Sequence, residues 1–499
     1  MVDHRVVVRE LDTRVSLLAT VDARRAVAVA AASSAALALA NVADLGPLSA
    51  LAVAVVIVLG CLSPVGALAG AIVTLPYFYQ PLNLAGQHLA ASDLLLLAAA
   101  VGTASRLVAG SARSVQAHRL SVFAQLAEVV RTPVVLTAIA LALLGGVLVV
   151  FPYDAAHRAE SLREWRWTLA EPALLLGLLA WHRREGWLPA LAAGALIAGG
   201  SVASLHALAD LAFGGGVSVG GVTRIAGPYP HPNALALMTA RIVALALGWA
   251  AFDPRVRRWI WPLLVSCALA VAATFSRGAM LGSAVALGLV LINASANVRL
   301  AGAVSAGLAL LVATIAARDR MLDGFDGGSG SLRLDIWSSA LEMIGDRPFL
   351  GYGPDQFLYA YLPRYVAPSS WGERFTAHSH NFVLDFWIRL GIIGAAFAVV
   401  AAVLVVRATA LRMQESVGRS RLQTAALIAL TAAFAHGLVD NAYFSHDLAM
   451  SSWLLAWLAF GLGSQQAGSL GGVDVARTGV GRGRLHRFAS LRQPDRRRL

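Results

Sequence analysis

The sequence predicts an all-α, polytopic integral membrane protein of about fourteen transmembrane helices, with twelve as the alternative count, and one large outer loop carrying short helices. Three observations predict it. Of 499 residues, 58% are hydrophobic and only 14% charged, whereas a soluble domain has roughly 45–50% apolar and about 25% charged residues. The apolar residues collect into runs near the ~20-residue length that crosses a bilayer. The arginines, finally, fall mainly on alternate connections between those runs, as the positive-inside rule requires of short cytoplasmic loops.

The runs lie near 26–43, 47–61, 63–77, 91–106, 133–151, 168–182, 187–206, 234–252, 259–275, 278–295, 300–317, 380–406, 422–439 and 447–463. The pair within 47–77 is split by Cys61-Leu62-Ser63-Pro64, so it reads either as a tight hairpin crossing twice or as a shallow segment that never crosses. That ambiguity is the source of the lower count. No cleavable signal peptide is expected, because Arg24 and Arg25 precede an apolar run with no clear small-residue cleavage site. With the N-terminus inside, fourteen arginines fall on the short inner connections and five on the short outer ones, Arg158, Arg163, Arg166, Arg224 and Arg277. The organisation is then an inner tail (1–25), a block of spans (26–317), a large outer loop (318–379), three C-terminal spans (380–463) and a basic inner tail (464–499).

The chain has no lysine, so all 40 basic residues are arginine and the formal net charge is +12. Such a charge suggests nucleic acid in a soluble protein. Here its placement is a topology signal, reinforced by anionic inner-leaflet lipid, and nucleic acid is not an expected partner. Two cysteines, Cys61 and Cys267, both lie in apolar runs, which argues against a disulfide framework or a thiolate metal site.

The outer loop is long enough to escape the charge rule and to carry structure of its own. A Gly/Ser/Asp tract, Asp323 to Ser331, leads into Leu334, Trp337, Leu341 and Ile344 at helical spacing. They predict an amphipathic helix on the outer membrane surface. Asp346-Arg347-Pro348 ends it, and Gly351-Tyr352-Gly353-Pro354 is a turn.

Three outer connections carry polar residues that a plain loop does not need. They are Thr223 to Asn233, which contains Arg224, His231 and Asn233; the short hairpin Thr274-Phe275-Ser276-Arg277-Gly278; and the end of the long loop, His378-Ser379-His380-Asn381. In this topology Arg224, Arg277, Arg333 and His380 reach one outer interface. Several guanidiniums with one titratable imidazole describe a site for a diphosphate and for a group that gives up a proton.

These segments resemble the O-antigen ligase and O-antigen polymerase superfamily of bacterial membrane glycosyltransferases. His380-Asn381, nine residues, Gly391, two residues and Gly394 fit its pattern of His, a small amide or hydroxyl residue, nine positions and Gly-x-x-Gly. Arg224-Ile225-Ala226-Gly227 with His231-Pro232-Asn233 is similar to its upstream arginine motif, and Ser276-Arg277-Gly278 to its short hairpin. Arg333 to Trp337, with Pro348 and Gly351-Tyr352-Gly353, resembles the start of its periplasmic loop. His436-Gly437-Leu438-Val439-Asp440 resembles its late His/Asp motif. The resemblance covers about residues 170–460.

It implies a metal-independent, inverting transfer from a polyprenyl-diphosphate-linked glycan to a glycan or lipid acceptor, at the outer face of the bacterial cytoplasmic membrane. No cofactor is implied. Arg224, Arg277 and Arg333 would hold the diphosphate, and His380 would sit by the acceptor hydroxyl as base or orienter. His231, Asn233, Asn381 and Asp440 would contribute to substrate binding. The physics is consistent: a developing diphosphate is stabilised by fixed cations in a poorly hydrated site, and a neutral histidine can accept a hydroxyl proton.

Each residue also has a plainer reading. Arg277 alone would be a snorkelling anchor, and His231-Pro232-Asn233 would cap the next helix. Asp440 would cap or pair, and Gly391 and Gly394 would permit close helix packing. Arg389 lies four residues after Asp385, the spacing of a local ion pair. Arg241, deep in a span, calls for a partner that the sequence does not name. Trp371, Tyr359, Tyr361 and Tyr365 read as an interfacial belt in preference to a sugar platform.

The rival class is a transporter or flippase of lipid-linked glycans, disfavoured because transporters place binding residues near the midplane and commonly show inverted repeats. Within the superfamily, the Gly-x-x-Gly register favours a ligase, and a repeat-unit polymerase is the alternative. The outer acids Asp323, Asp326, Asp335, Asp346 and Asp355 are scattered, and no paired metal-binding motif appears.

Overall fold

The computed structural model describes residues 4–42, 47–84, 87–111, 115–219, 222–292, 329–414 and 421–461. The expected span at 300–317, the tract from Asp323 to residue 328 and the basic tail 464–499 lie outside the described residues.

The described chain is mainly helical. The first helices are α1 (His4–Val42), α2 (Pro47–Leu62), α3 (Pro64–Thr74) and α4 (Ala91–Ser111). α1 runs unbroken across the boundary that the sequence places between an inner tail and a first span. The 47–77 stretch forms two helices that meet at Ser63, whose hydroxyl accepts from the Gly66 backbone N–H at 3.1 Å, with Pro64 in the first helical turn. A side-chain cap plus proline fixes a helix start at that point, which is why the apolar run does not continue as one helix. Both halves pack on α4.

Next come α5 (Val115–Val130), α6 (Pro133–Val150), α7 (Arg158–Trp165), α8 (Glu171–Trp181) and α9 (Leu188–Ala212). A π-helical turn over Arg166–Ala170 joins α7 to α8. Then follow α10 (Pro232–Phe252), α11 (Pro254–Ala273) and α12 (Arg277–Ile292). The outer-loop region supplies α13 (Ser329–Asp346) and α14 (Phe357–Arg364). The last three are α15 (Phe382–Gln414), α16 (Arg421–Gly437) and α17 (His446–Phe460).

Among the described residues, 6 helices are long and apolar enough to cross a membrane: 91–109, 133–150, 188–212, 232–252, 254–273 and 382–413. Shorter apolar helices lie at 51–62, 64–77 and 277–292. Two small antiparallel hairpins, Leu82–Leu84 with Gln87–Leu89 and Val217–Val219 with Val222–Arg224, depart from an all-α expectation. Strands of three residues leave no periodic signal in an apolar sequence.

α10 is the central helix, packed against α16, α11, α12 and α9. It carries Arg241, buried in the bundle, whose guanidinium donates to the carbonyls of Ala442 and Leu448 (both 2.9 Å) and to the Ser451 and Ser452 hydroxyls (2.9 and 3.0 Å). The partner missing from the sequence reading is therefore the backbone and hydroxyls of the first turns of α17, with the Ala442 carbonyl just before it. Arg389 makes the expected contact with Asp385 at 3.3 Å, but Glu164 on α7 faces its Nε with both carboxylate oxygens at 3.0 and 3.1 Å. All three are buried. A buried cation is tolerated only when paired and hydrogen-bonded, so this network ties α7 to α15.

The loop region folds around its own core of Ile336, Ala340, Met343, Tyr352, Phe357, Tyr361, Tyr365 and Ile388. α13 is amphipathic, but its buried stripe is Ile336, Ala340, Met343 and Ile344, whereas Leu334 and Leu341 are exposed. Apolar residues occupy both faces of α13, so beside the pattern of Leu334, Trp337, Leu341 and Ile344 the helix carries a second, buried stripe that the sequence did not single out. Tyr361 and Tyr365 are interior residues and not an interfacial belt; Tyr365 donates to Asp346 at 2.5 Å. Tyr359 stacks on His157 at 3.6 Å, and Trp371 is exposed.

α15 is kinked at Gly391, with φ 65° and ψ −161°. A Cβ there would collide with the Phe349 carbonyl oxygen, while the Ile392 N–H donates to that oxygen at 3.2 Å and Tyr352 N–H donates to Ile388 at 2.6 Å. The turn after α13 thus plugs into the break in α15. Gly391 is a hinge of backbone geometry, a correction to its reading as a helix-packing glycine.

Candidate active site

α10, α12, α15 and α17 begin, and α11 and α16 finish, at one end of the bundle. Three contacts establish this. Ile225 N–H, just after the strand that precedes α10, donates to the Ala273 carbonyl that ends α11 (3.3 Å). Gly278 leaves a would-be Cβ only 2.5 Å from His436 Cδ2 on α16. His380 Nδ1, before α15, lies 3.1 Å from Asp440 Oδ1, after α16.

His380 has φ +55°, a left-handed conformation unusual for histidine, and holding it costs about 1–3 kcal/mol. Its neighbours supply the constraint. The Ser379 N–H and hydroxyl both donate to Asp385 Oδ1, at 2.8 and 2.9 Å. Asn381 Oδ1 accepts from the backbone N–H groups of Val383 and Leu384 (3.0 and 3.2 Å), and its Nδ2 donates to the Leu438 carbonyl at 3.0 Å. Asn381, assigned from the sequence to substrate binding, therefore caps α15 and ties it to the segment carrying Asp440.

Asp440 is nearly buried and accepts from its neighbour, the Asn441 N–H (2.9 Å), as well as facing His380. Arg333 on α13 approaches the other carboxylate oxygen at 3.6 Å. Burial by itself would raise the Asp440 carboxyl. The hydrogen bond and charge from His380, with His378 and His436 nearby, outweigh it and hold Asp440 well below the usual carboxylate range. An ionised Asp440 can only accept, so the His380 Nδ1 donates to it and the lone pair lies on Nε2. In physical terms this is a base with its tautomer and orientation set by a carboxylate, and an arginine beside that carboxylate.

Sequence reasoning missed His378. Its ring packs edge-on against His380 with centroids 4.2 Å apart, and its Nδ1 is buried without a hydrogen-bond partner. Burial and then the neighbouring His380 hold it neutral, well below the ordinary imidazole value. The only sequence signal was its position two residues before His380. His378, His380 and Asp440 can each place one ligand atom within 4.8 Å of the others, so the residues of a small metal site are closer together than the scattered outer acids suggested. Arg333 already brings a positive charge to the Asp440 carboxylate, which opposes a second cation there.

Arg224 is buried, donating from Nε to the Thr274 carbonyl (2.5 Å) and from NH2 to Asn233 Oδ1 (2.6 Å). It thus clamps the strand before α10 to the α11–α12 hairpin. His231 caps α10, its Nδ1 accepting from the Asn233 N–H at 3.1 Å. Arg277 is exposed at the first position of α12. Its neighbour Gly278 packs on His436 and Val439, which places Arg277 beside the segment bearing Asp440. The eight residues singled out from the sequence therefore form two linked groups. His380 and Arg333 meet at Asp440, and Asn381 ties the same corner together through the Leu438 carbonyl. Arg224, His231 and Asn233 form a second group, joined to the first through Arg277 and the start of α12.

The fold and this site define a polytopic membrane protein with a carboxylate-oriented histidine and arginines at one end of its bundle. Residues 262–399 match the family model described as O-Antigen ligase. The match bears out the resemblance to the O-antigen ligase and polymerase superfamily and takes in Arg277, Arg333, His380, Asn381, Gly391 and Gly394. It covers under a third of the chain and leaves Arg224, His231, Asn233 and Asp440 outside. No curated protein matches the chain.

With the diphosphate-linked donor that the family resemblance implies, Arg333→Ala should lower turnover and weaken donor affinity, each by about tenfold or more, since charge-assisted contacts are worth roughly 1.5–3 kcal/mol. Arg333→Lys should recover only part, because an ammonium cannot make the forked contact. Normal turnover and affinity in the alanine variant would return Arg333 to a purely structural pairing with Asp440.

Proposed function

We propose that this protein is an O-antigen ligase-like glycosyltransferase, moving a glycan from a polyprenyl-diphosphate carrier to an acceptor hydroxyl on the outer face of the bacterial cytoplasmic membrane. The observation that carries the reading is the His380–Asp440–Arg333 arrangement, two of whose members lie inside the family match.

The acceptor oxygen attacks the anomeric carbon as its proton passes to His380 Nε2. The bond from that carbon to the diphosphate oxygen breaks, and its electron pair leaves with the diphosphate. Asp440 keeps the ring in the receptive tautomer and stabilises the imidazolium that forms. Arg277 and Arg333 oppose the charge that develops on the leaving group, the stage at which fixed dipoles and cations act most strongly. Arg224 supports the site by holding the α11–α12 hairpin in place. The chemistry proceeds with arginine in place of a divalent ion.

A polymerase of repeat units would use the same leaving group and differ in acceptor. Deleting the gene separates the two. Accumulation of full-length polymer on the lipid carrier is the result expected for a ligase. Accumulation of single repeat units would instead identify a polymerase.

A further inference from the structure

Arg389 does more than tie two helices together. It lies buried in α15 between two buried acids, Glu164 and Asp385. Taking each of these charges out of water costs several kcal/mol, and well-packed apolar side chains often join two helices at least as stably as a buried ion pair. A cation in a span therefore points to a task that apolar packing cannot perform. The hydrogen bonds of the guanidinium show what that task is.

Its NH2 donates to the Ala377 carbonyl at 3.1 Å, and its NH1 donates to Asp385 Oδ1 at 3.3 Å. That same oxygen accepts from the Ser379 N–H and hydroxyl. Ala377 and Ser379 flank His378, and Ser379 precedes the left-handed His380. Arg389 thus pins the backbone directly at residue 377 and, through Asp385, at residue 379. On its other side, Cζ lies 4.4 Å from the centroid of the Phe444 ring. Phe444 belongs to the turn that starts at Asp440: the Asn441 N–H donates to Asp440, and Asn441 Oδ1 accepts from the Phe444 N–H at 2.9 Å. Nε meets Glu164, which also accepts from the Asp355 N–H between α13 and α14. One side chain therefore touches the segment that presents His380 and the turn that presents Asp440. Through Glu164 it reaches the region that presents Arg333.

We propose that Arg389 is a positioning residue for the base, holding His380 in its strained backbone and in register with Asp440. The inference rests on the transferase reading and deepens it. The 3.1 Å between His380 Nδ1 and Asp440 Oδ1 is set by two backbone segments that both rest on Arg389. The Arg389 side chain is only 2% exposed, so it holds the site from behind and does not meet the donor. Its planar fork serves three partners at fixed angles, which an ammonium cannot do. A misplacement of about 1 Å at a reacting group costs on the order of 10²-fold in rate, so loosening the fork acts on turnover and leaves donor binding alone.

The test is a double-mutant cycle on purified full-length protein, with a polyprenyl-diphosphate-linked glycan as donor. Arg389→Lys keeps a cation between Glu164 and Asp385 and removes the fork. Its kcat should fall about 10–10²-fold while the donor KM stays within about twofold of wild type. In a His380→Asn background there is no base left to position, so adding Arg389→Lys should lower the residual turnover by less than about twofold. A residue that only stabilised the fold would cost the same factor in both backgrounds, and such additivity would overturn the assignment. So would wild-type kcat in Arg389→Lys, or a raised donor KM with kcat unchanged. Should Arg389→Lys fail to yield monodisperse protein, Ser379→Ala decides. It removes one hydrogen bond to Asp385, and should lower kcat about fivefold in wild type and not in His380→Asn. Equal losses in the two backgrounds would again overturn the proposal. Wild type that transferred no glycan, or His380→Asn that transferred normally, would overturn the transferase reading and this assignment together. A silent Arg389→Lys in an enzyme that His380→Asn disables would overturn the assignment alone.

Discussion

The His380→Ala variant should lose glycan transfer by about 10²–10⁴-fold, the range that a general base contributes, while remaining folded and membrane-inserted. His380 is the ring that Asp440 orients at 3.1 Å and whose Nε2 is left to accept a proton. Its left-handed backbone raises a complication, because alanine tolerates that conformation poorly. His380→Asn removes it: asparagine accepts the left-handed region and carries no base, so it should lose the same activity with less effect on folding. His378 lies two residues away and outside the motif, so from the sequence alone its replacement should cost much less. Its edge-on packing at 4.2 Å alters that expectation. His378→Ala should cost less than His380→Ala, yet a measurable amount, because it removes a wall of the base's pocket. Turnover within a few-fold of wild type in both His380 variants, measured on monodisperse protein, would exclude it as the base.

Gly391→Ala should produce the largest loss of stability. At φ 65° and ψ −161° the residue occupies a region open essentially to glycine alone, and the Phe349 carbonyl oxygen stands where a Cβ would go. Backbone cannot yield as a flexible side-chain tip can. The kink would have to straighten, which breaks the Ile392-to-Phe349 and Tyr352-to-Ile388 hydrogen bonds and undocks the α13–α14 region that carries Arg333. A cost of about 3 kcal/mol or more is expected, read as a fall in melting temperature in detergent of several degrees. Gly288→Ala on α12, where an added Cβ meets nothing within 4 Å, is the control and should change little. If Gly391→Ala melted with wild type, the docking of the loop into the kink would be wrong.

Helices were legible because apolar runs of bilayer length are a strong, local signal. Within the described residues, α6, α9, α10, α11 and α15 fall on expected spans. Local punctuation was legible too, as at Ser63-Pro64 and at Asp346-Arg347-Pro348. Contacts between distant residues were not. The Glu164–Arg389 pair joins residues 225 positions apart, and the nearer Asp385 offered a satisfying partner at helical spacing. The buried stripe of α13 was not legible, because Leu334 and Leu341 share the helical spacing of Ile336 and Met343. For the candidate site, motifs supplied His380, Asp440 and Arg333 separately. That His380 and Asp440, 60 positions apart, form one unit emerges only when α15 and α16 are packed together. Arg224 and Asn381 show the converse, since a motif singles out a residue without saying whether it holds a ligand or the fold.

One measurement separates glycan transfer from transport. Purified protein in detergent, with excess EDTA, is given a polyprenyl-diphosphate-linked glycan and a hydroxyl-bearing acceptor, and both products are quantified. The expected result is polyprenyl diphosphate released in step with glycan joined to acceptor, lost in His380→Asn. Detergent abolishes the two compartments that a flippase needs, so transfer there is chemistry and not transport. Protein that binds the donor yet transfers nothing, or transfers only when Mg²⁺ or Mn²⁺ is restored, would contradict the arginine-and-histidine mechanism.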